Sequence, residues 1–255
     1  MRFSLLLALL ITSPVLFADA GSDTFHWSGR LPAGKFIEIR GINGSIYAEP
    51  AIGNDVDVIA FKGKDRDASG VEVQVVEHDG GITVCAVYPT PEGRSNGCAP
   101  GATAANPSDV EVDFTVHVPK GVRFVGRTVN GLVEARALES DTEAHTVNGN
   151  VCLSTAGSAT GETVNGSIEA SVGSFVSPLN FSTVNGGITL LMPARANSRV
   201  HASTVNGSIQ TDFPLSVKAR FSGVHADGAV GRGGPELRLA TVNGNIKLKR
   251  RVTRF

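Results

Sequence analysis

The side chains that could carry out chemistry are few and widely spaced in this sequence. Six histidines are present, and none pairs with another in a metal-binding spacing such as H-x3-H or HExxH. Serines are numerous, but no set of serine, histidine and acid stands out as a catalytic triad. We therefore predict no catalytic residue, no metal ligand and no cofactor.

Acidic residues offer the one enzymatic alternative, because glycoside-cleaving enzymes work with paired carboxylates. The candidate acids are scattered, and the group from Glu139 to Glu143 is more typical of a solvated turn. They are Glu134, Glu139, Asp141, Glu143, Glu162, Glu169 and Asp212. Since no pair meets the geometric requirements of a catalytic site, a polysaccharide-active enzyme is kept as the alternative to a binding protein.

A repeated tetrapeptide defines the elements that position these residues. Thr-Val-Asn-Gly occurs six times, and its asparagines are separated by 18, 17, 20, 21 and 37 residues. A period of this length indicates a stacked repeat. The repeated residues are Thr128, Asn130, Gly131, Thr146, Asn148, Gly149, Thr163, Asn165, Gly166, Thr183, Asn185, Gly186, Thr204, Asn206, Gly207, Thr241, Asn243 and Gly244. We expect them to form structural ladders along the stack.

Two less regular segments extend the array. The interval of 37 residues is about two periods long, and residues 225–228, His-Ala-Asp-Gly, resemble a degenerate copy within it. Upstream, Asn43 and Gly44 repeat the core of the motif, so the first coil is expected near residue 43. We expect at least seven consecutive units, and the last of them carries the basic residues near the C-terminus.

The pattern of side chains around Asn-Gly predicts the path of the chain. Valine precedes every asparagine, and valine or isoleucine follows it three residues later, so both lie on one face of a strand that runs through Asn-Gly. A type I′ hairpin at Asn-Gly is the alternative, but it would place valine opposite a polar residue. Residues upstream have the opposite parity, which predicts a phase slip just before each threonine.

Strands of this kind, stacked about 4.8 Å apart, predict an all-β fold. We expect a β-solenoid, similar to a single-stranded β-helix, with short coils of 17 to 21 residues and a β-rich N-terminal segment.

In this register His145 lies between Arg127 and Glu162 in a solvated charge ladder, and a metal site there would need further ligands. Cys152 faces outward near carboxylates, which raise the pKa of a thiol, so we predict poor reactivity.

The first twenty residues are typical of a signal peptide. An apolar run, Leu5 to Leu16, precedes Ala18-Asp19-Ala20, a small-residue cleavage site. The run is too short for a membrane-spanning helix, and no other segment is long and apolar enough. We expect an exported protein of the periplasm or cell surface with no transmembrane segment in the mature chain.

The mature chain divides into a β-rich N-terminal segment or cap at 21–125, a repeat array at 126–250 and a basic tail at 251–255. Within the first part we expect strands at 35–40, 56–61, 71–76, 82–88 and 110–118, and an exposed loop at 90–108. Cys85 and Cys98 flank part of this loop. An exported chain with three cysteines favours a Cys85–Cys98 disulfide, and three free thiols are the alternative.

Thr-Val-Asn-Gly-Ser-Ile repeats, behind a signal peptide and an opening Ile39-Arg-Gly-Ile-Asn-Gly-Ser-Ile46, resemble the bacterial family of unknown function often labelled "putative adhesin". The resemblance covers about residues 25 to 249 and implies an envelope β-solenoid without established chemistry.

The function expected from these observations is a non-catalytic, adhesin-like binding or scaffold module of the envelope. The partners to consider are an envelope polysaccharide, peptidoglycan or a protein. A net charge of −1 and only one tryptophan and two tyrosines argue against nucleic acid, which is bound by basic fields and stacking aromatics. Besides the enzyme, a self-assembling structural protein is a further alternative.

Overall fold

The computed structural model describes residues 23–63, 70–88, 98, 110–221 and 223–251. The described residues form 21 strands in two large sheets and no helix, so the prediction of an all-β chain is confirmed. It follows that they contain no helix long and apolar enough to cross a membrane. The predicted signal peptide, all of the 90–108 loop except Cys98, and residues 252–255 lie outside the described residues.

The strands are numbered in chain order, but their spatial order across each sheet is different. Sheet A contains β1 (Thr24–Arg30), β4 (Asp55–Lys62), β7 (Val112–Val118), β3 (Ile46–Pro50), β9 (Val133–Leu138), β11 (Val151–Thr155), β13 (Ile168–Val172), β15 (Ile188–Pro193), β21 (Ile246–Arg251) and β17 (Ile209–Thr211). Sheet B contains β18 (Ser216–Arg220), β19 (Gly223–Val230), β16 (Ser198–Asn206), β20 (Glu236–Asn243), β14 (Leu179–Asn185), β12 (Ala159–Glu162), β10 (Thr142–His145), β8 (Arg123–Arg127), β2 (Phe36–Arg40), β6 (Gly81–Val87) and β5 (Glu72–His78).

Each Asn-Gly unit contributes one strand to each sheet, and we call such a pair of strands a rung. Seven rungs stack in parallel, in the order β2–β3, β8–β9, β10–β11, β12–β13, β14–β15, β20–β21 and β16–β17. Equivalent residues pair between neighbours: Val151, for example, is in register with Val133 on one side and Ile168 on the other. The repeat therefore places identical residues in columns along the stack.

The order of the rungs differs from their order in the sequence. β20 lies between β14 and β16, and β21 lies between β15 and β17, so the C-terminal rung is inserted before the last one. Residues 225–228 are in β19, which is antiparallel to both β16 and β18. The predictions of a degenerate copy there, and of a basic rung at the end of the array, were wrong. The long interval holds a hairpin at the edge of sheet B instead.

The N-terminal strands extend both sheets beyond the first rung. β7, β4 and β1 continue sheet A, while β6 and β5 continue sheet B. All five strands predicted in this segment from alternating hydrophobicity are present, as β2, β4, β5, β6 and β7. The third and fourth of these strands form an antiparallel hairpin, in which His78 pairs with Gly81.

The core lies between the two sheets, and it corrects the predicted parity of the motif. Ile168, three residues after its asparagine, is fully buried, as expected. Thr163 is also buried, whereas Val164 is 38% exposed. We predicted the reverse arrangement, with valine inside, because we placed the phase slip before threonine. The slip occurs after threonine, at the Val-Asn-Gly corner where the chain passes from sheet B to sheet A.

Candidate functional site

The seven Asn-Gly corners lie on one side of the stack. Six of the seven asparagine side chains, all but that of the first rung, donate from Nδ2 to Oδ1 of the asparagine in the preceding rung, over 2.7 to 2.8 Å. The series runs Asn43, Asn130, Asn148, Asn165, Asn185, Asn243 and Asn206. The five central amides each use one N–H and the carbonyl oxygen within the row, and the six motif asparagines are exposed, so their second amide N–H is available to a partner.

The threonine and glycine of the motif explain how the corner closes. Each of the six motif threonines donates its buried hydroxyl to the glycine carbonyl of the preceding rung, at 2.8 to 3.0 Å. A Cβ atom on Gly166 would lie 1.8 Å from the carbonyl oxygen of Gly149, so only glycine fits at this position. These two residue types therefore have structural roles inside the corner.

The valines of the motif face solvent next to the asparagines. Five of them are 38% to 52% exposed, namely Val147, Val164, Val184, Val205 and Val242. We call these valines and the seven asparagines the corner row. At about 4.8 Å per rung, five consecutive valines extend over about 19 Å. The corner row is thus an apolar edge bordered by amides, which suits contact with an extended partner.

A second group of side chains crosses the outer face of sheet B. We call it the ionic row, and it consists of Glu38, Arg40, Arg123, Arg127, Glu143, His145, Glu162 and Asn180. Glu38 is 4% exposed and binds Arg40 at 2.9 Å and Arg127 at 3.1 Å. Its other oxygen accepts from Thr83 at 3.1 Å. This buried carboxylate is thereby paired with two arginines at one oxygen and hydrogen-bonded by a hydroxyl at the other.

Glu143 links the arginines of the ionic row to His145. His145 Nε2 lies 2.7 Å from Glu143, and both Arg123 and Arg127 also bind this carboxylate. The hydrogen bond from His145, with the arginines, lowers the pKa of Glu143 to about 2 against the opposing effect of burial. Beyond it, His145 Nδ1 lies 3.3 Å from Glu162, which also accepts from Asn180. His145 therefore lies between Arg127 and Glu162 in register.

Apart from Glu143 and Glu162, which flank His145, the candidate acids have separate partners. Their contacts are Glu134 with Arg136, Glu139 with Lys120, Asp141 with the Ser158 backbone N–H, Glu143 and Glu162 within the ionic row, and Asp212 with the Arg250 backbone N–H. Glu169 is in register with Cys152. Within the described ranges, no three histidine, cysteine or acidic side chains form a group that could hold a metal ion.

Two cysteines are joined, and the third is half-buried. The predicted Cys85–Cys98 disulfide is present, and together with Val87 it covers the outer face of β6. Cys152 is free. Burial and then the nearby Glu134 and Glu169 carboxylates raise the pKa of its thiol.

Sequence reasoning missed two features. Glu38 and Arg40 belong to the ionic row, and extending the repeat columns back to Asn43 would have placed them there, since Arg40 is in register with Arg127. Residues 93–97, Gly-Arg-Ser-Asn-Gly, have the G-x-S-x-G spacing of a hydrolase nucleophile, a motif whose confirmation requires a strand before it and a helix after it. They lie outside the described residues.

The fold and the two rows define an all-β protein of stacked parallel rungs with a continuous exposed edge. No protein-family model matches the chain, and no curated protein matches it. Among solved structures, a "putative cell adhesion protein" from Clostridium sporogenes ATCC 15579 is similar with a TM-score of 0.51 and 9% identity, over 89% of this chain and 100% of that one. This likeness shows a shared fold.

A "putative adhesin" from Bacteroides fragilis NCTC 9343 matches 91% of this chain and 99% of its own, at 12% identity and a TM-score of 0.31. Another from Parabacteroides distasonis ATCC 8503 matches 90% of this chain and 98% of its own, at 9% identity and a TM-score of 0.23. At these scores neither likeness adds to the argument.

Proposed function

We propose that this chain is an exported β-solenoid that serves the bacterial envelope as an adhesin-like binding or scaffold module, and that it is not an enzyme. The observation that carries the proposal is the corner row, in which an amide repeats at every rung and an exposed valine at five consecutive rungs. A regular edge of this kind matches an extended or repeating partner, such as an envelope polysaccharide or a protein strand. The protein from Clostridium sporogenes that shares this fold is described as a "putative cell adhesion protein", and the proposed role is in line with that description.

Two further observations support the proposal. The carboxylates and the histidine of the ionic row are bound to one another and to arginines, which favours a structural role over proton transfer. The Cys85–Cys98 disulfide is typical of a protein that folds in an oxidising compartment, in line with export. The disulfide also agrees with the apolar N-terminal run expected to act as a signal peptide.

The proposal is tested with the full mature protein and two probes, purified peptidoglycan and isolated envelope polysaccharide. Val164→Asp combined with Val184→Asp places charge on the corner row. Val176→Asp is the matched control, because Val176 is 83% exposed and lies outside the row. We expect the double variant to bind at least one probe about tenfold more weakly than the native protein, through lost apolar contact, and the control to bind normally.

Other outcomes contradict the proposal. Equal binding by both variants would show that the corner row is not the contact surface. Cleavage of the polysaccharide would point to the enzymatic alternative. Filaments that form with rising protein concentration, without binding to either probe, would favour the self-assembling protein.

A further inference from the structure

An asparagine followed by glycine is chemically labile, because the glycine amide nitrogen can attack the asparagine side-chain carbonyl carbon. The attack requires an amide nitrogen that is accessible and a backbone that can bend. A hydrogen bond from that N–H and a rigid neighbouring backbone both oppose it. The seven Asn-Gly pairs of the corner row place the same two residues in seven settings that differ in these respects.

Six of the seven glycine N–H groups are held by the next rung. Each donates to an asparagine carbonyl oxygen at 2.9 to 3.1 Å: Gly44 to Asn130, Gly131 to Asn148, Gly149 to Asn165, Gly166 to Asn185, Gly186 to Asn243 and Gly244 to Asn206. All six glycines are buried or partly buried. Their N–H groups are therefore already hydrogen-bonded within the stack, which opposes attack by these nitrogens.

Gly207 is different because it belongs to the last rung. β17 is the edge of sheet A, and no further Asn-Gly corner stacks on Asn206 and Gly207. Across the described part of the chain, the Gly207 N–H donates no hydrogen bond. Gly207 is also exposed, unlike its six counterparts.

We propose that Asn206 is a site of selective, spontaneous deamidation. The Gly207 nitrogen loses its proton to hydroxide and bonds to Cγ of Asn206. The Cγ–Nδ2 bond then breaks as Nδ2 takes a proton from water, which releases ammonia and restores the hydroxide. Water then opens the resulting cyclic imide at either carbonyl carbon, which leaves aspartate or isoaspartate at position 206. No oxidant or reductant is needed, and water is the only co-reactant.

The reaction changes the last rung in two ways. Asn206 Nδ2 donates to Asn243 Oδ1 at 2.8 Å, and a carboxylate at position 206 cannot make this bond. It also places a negative charge beside that oxygen. The modification thus removes one hydrogen bond of the corner row and makes this end of the stack more acidic.

The experiment follows deamidation at every Asn-Gly pair of the folded mature protein, held at mildly alkaline pH and sampled over time by peptide mass spectrometry. We expect Asn206 to react at least about tenfold faster than Asn148 and Asn165, whose glycine amides are held. In denaturant the difference should disappear, since the local sequences are alike. Asn96-Gly97 is outside the described residues, and its peptide is scored separately.

A matched variant tests the assignment. In Asn206→Gln the slower-reacting glutamine replaces the labile residue at an exposed position, so the acidic form that accumulates in the native protein should be largely absent. Equal rates at Asn206 and Asn165 in the folded protein would overturn the proposal. So would selectivity for Asn206 that persists in denaturant, because it would then arise from local sequence and not from the open rung.

Discussion

At the scale of single residues, the buried threonine hydroxyl explains why the motif departs from simple alternation. Thr163 bonds the carbonyl of Gly149, at a corner where the regular strand pairing of sheet B ends. An unbonded buried carbonyl would cost about 1 to 3 kcal/mol. Valine in that position would bury more apolar surface but leave the carbonyl without its donor. The hydroxyl therefore determines which residue of the pair faces inward.

The corner glycine gives the sharpest prediction at this scale. Gly166→Ala should lower the free energy of unfolding by about 2 kcal/mol or more, because the added Cβ would meet the backbone of Gly149 at 1.8 Å. Gly53→Ala is the control, since nothing lies within 4 Å of its added Cβ, and it should change stability by less than about 0.5 kcal/mol. Urea unfolding measures both. Equal midpoints would contradict the corner geometry.

Cys152 provides a second residue-scale prediction. Since burial, Glu134 and Glu169 raise the pKa of its thiol, little thiolate is present at mildly alkaline pH and labelling by a thiol reagent should be slow. Replacing both carboxylates, as Glu134→Gln with Glu169→Gln, should speed the labelling, while Glu236→Gln at a remote exposed position should not. Rates that are the same in all variants would show that the carboxylates do not affect the thiol.

At the scale of elements, the outer face of sheet B is held by the ionic row, which joins strands distant in sequence. Glu38 on β2 and Glu143 on β10 both bind Arg127 on β8. Exposed ion pairs contribute little, but these carboxylates are largely enclosed, and losing a partner would leave charge in a poorly solvated site. The row should therefore make the stability of the sheet dependent on pH.

The sign of that dependence follows from Glu143. Its pKa is about 2 in the folded protein, against 4.5 for the ordinary residue, so its contribution is complete above about pH 4.5 and is lost as the pH falls toward 2. Allowing for partial exposure, we expect a loss of about 2 kcal/mol. Unfolding midpoints measured between about pH 6 and about pH 2.5 should fall less steeply for Glu143→Gln than for native protein. Glu236→Gln, on an exposed pair, should follow the native curve.

Much of this architecture could be predicted at the level of strands. Alternating hydrophobicity located the N-terminal strands, and the repeat placed Cys152 beside Glu134 and Glu169 as the structure shows. The parity of threonine and valine could not be predicted from hydrophobicity, because a hydrogen bond at the corner outweighs the preference of valine for the core. Residues 225–228 also resemble the motif only in sequence. In the structure they pair with antiparallel strands and form no rung.

At the scale of the whole molecule, the C-terminal rung, β20–β21, lies between two rungs that precede it in the sequence. The chain forms β16 and β17, turns through the β18–β19 hairpin and then returns to fill the position between two earlier rungs. Both edges of β20 are thus paired, with β14 and with β16. Sequence order cannot reveal this insertion, since every rung carries the same motif and any of them could pair with any other.

Leu239 tests this arrangement. It lies on β20, is fully buried, and is in register with Phe181 on one side and Ala202 on the other. If the C-terminal rung is central, Leu239→Ala should destabilise the whole protein by about 2 to 5 kcal/mol, as for other cavities in a packed core. Val217→Ala, on the exposed edge strand β18, is the control and should change stability by less than about 0.5 kcal/mol.

Hydrogen exchange distinguishes a central rung from a frayed end. We expect the Leu239 amide to be as strongly protected as that of Phe181, because both should exchange only when the stack opens as a unit. Terminal segments that pair on one side exchange through local fraying, at much lower free energy. Two results together would contradict the central position of the C-terminal rung: rapid exchange at Leu239 while Phe181 stays protected, and an unchanged unfolding midpoint for Leu239→Ala. The C-terminal rung would then be a loosely attached end, and would not join the last rung to the rest of the stack.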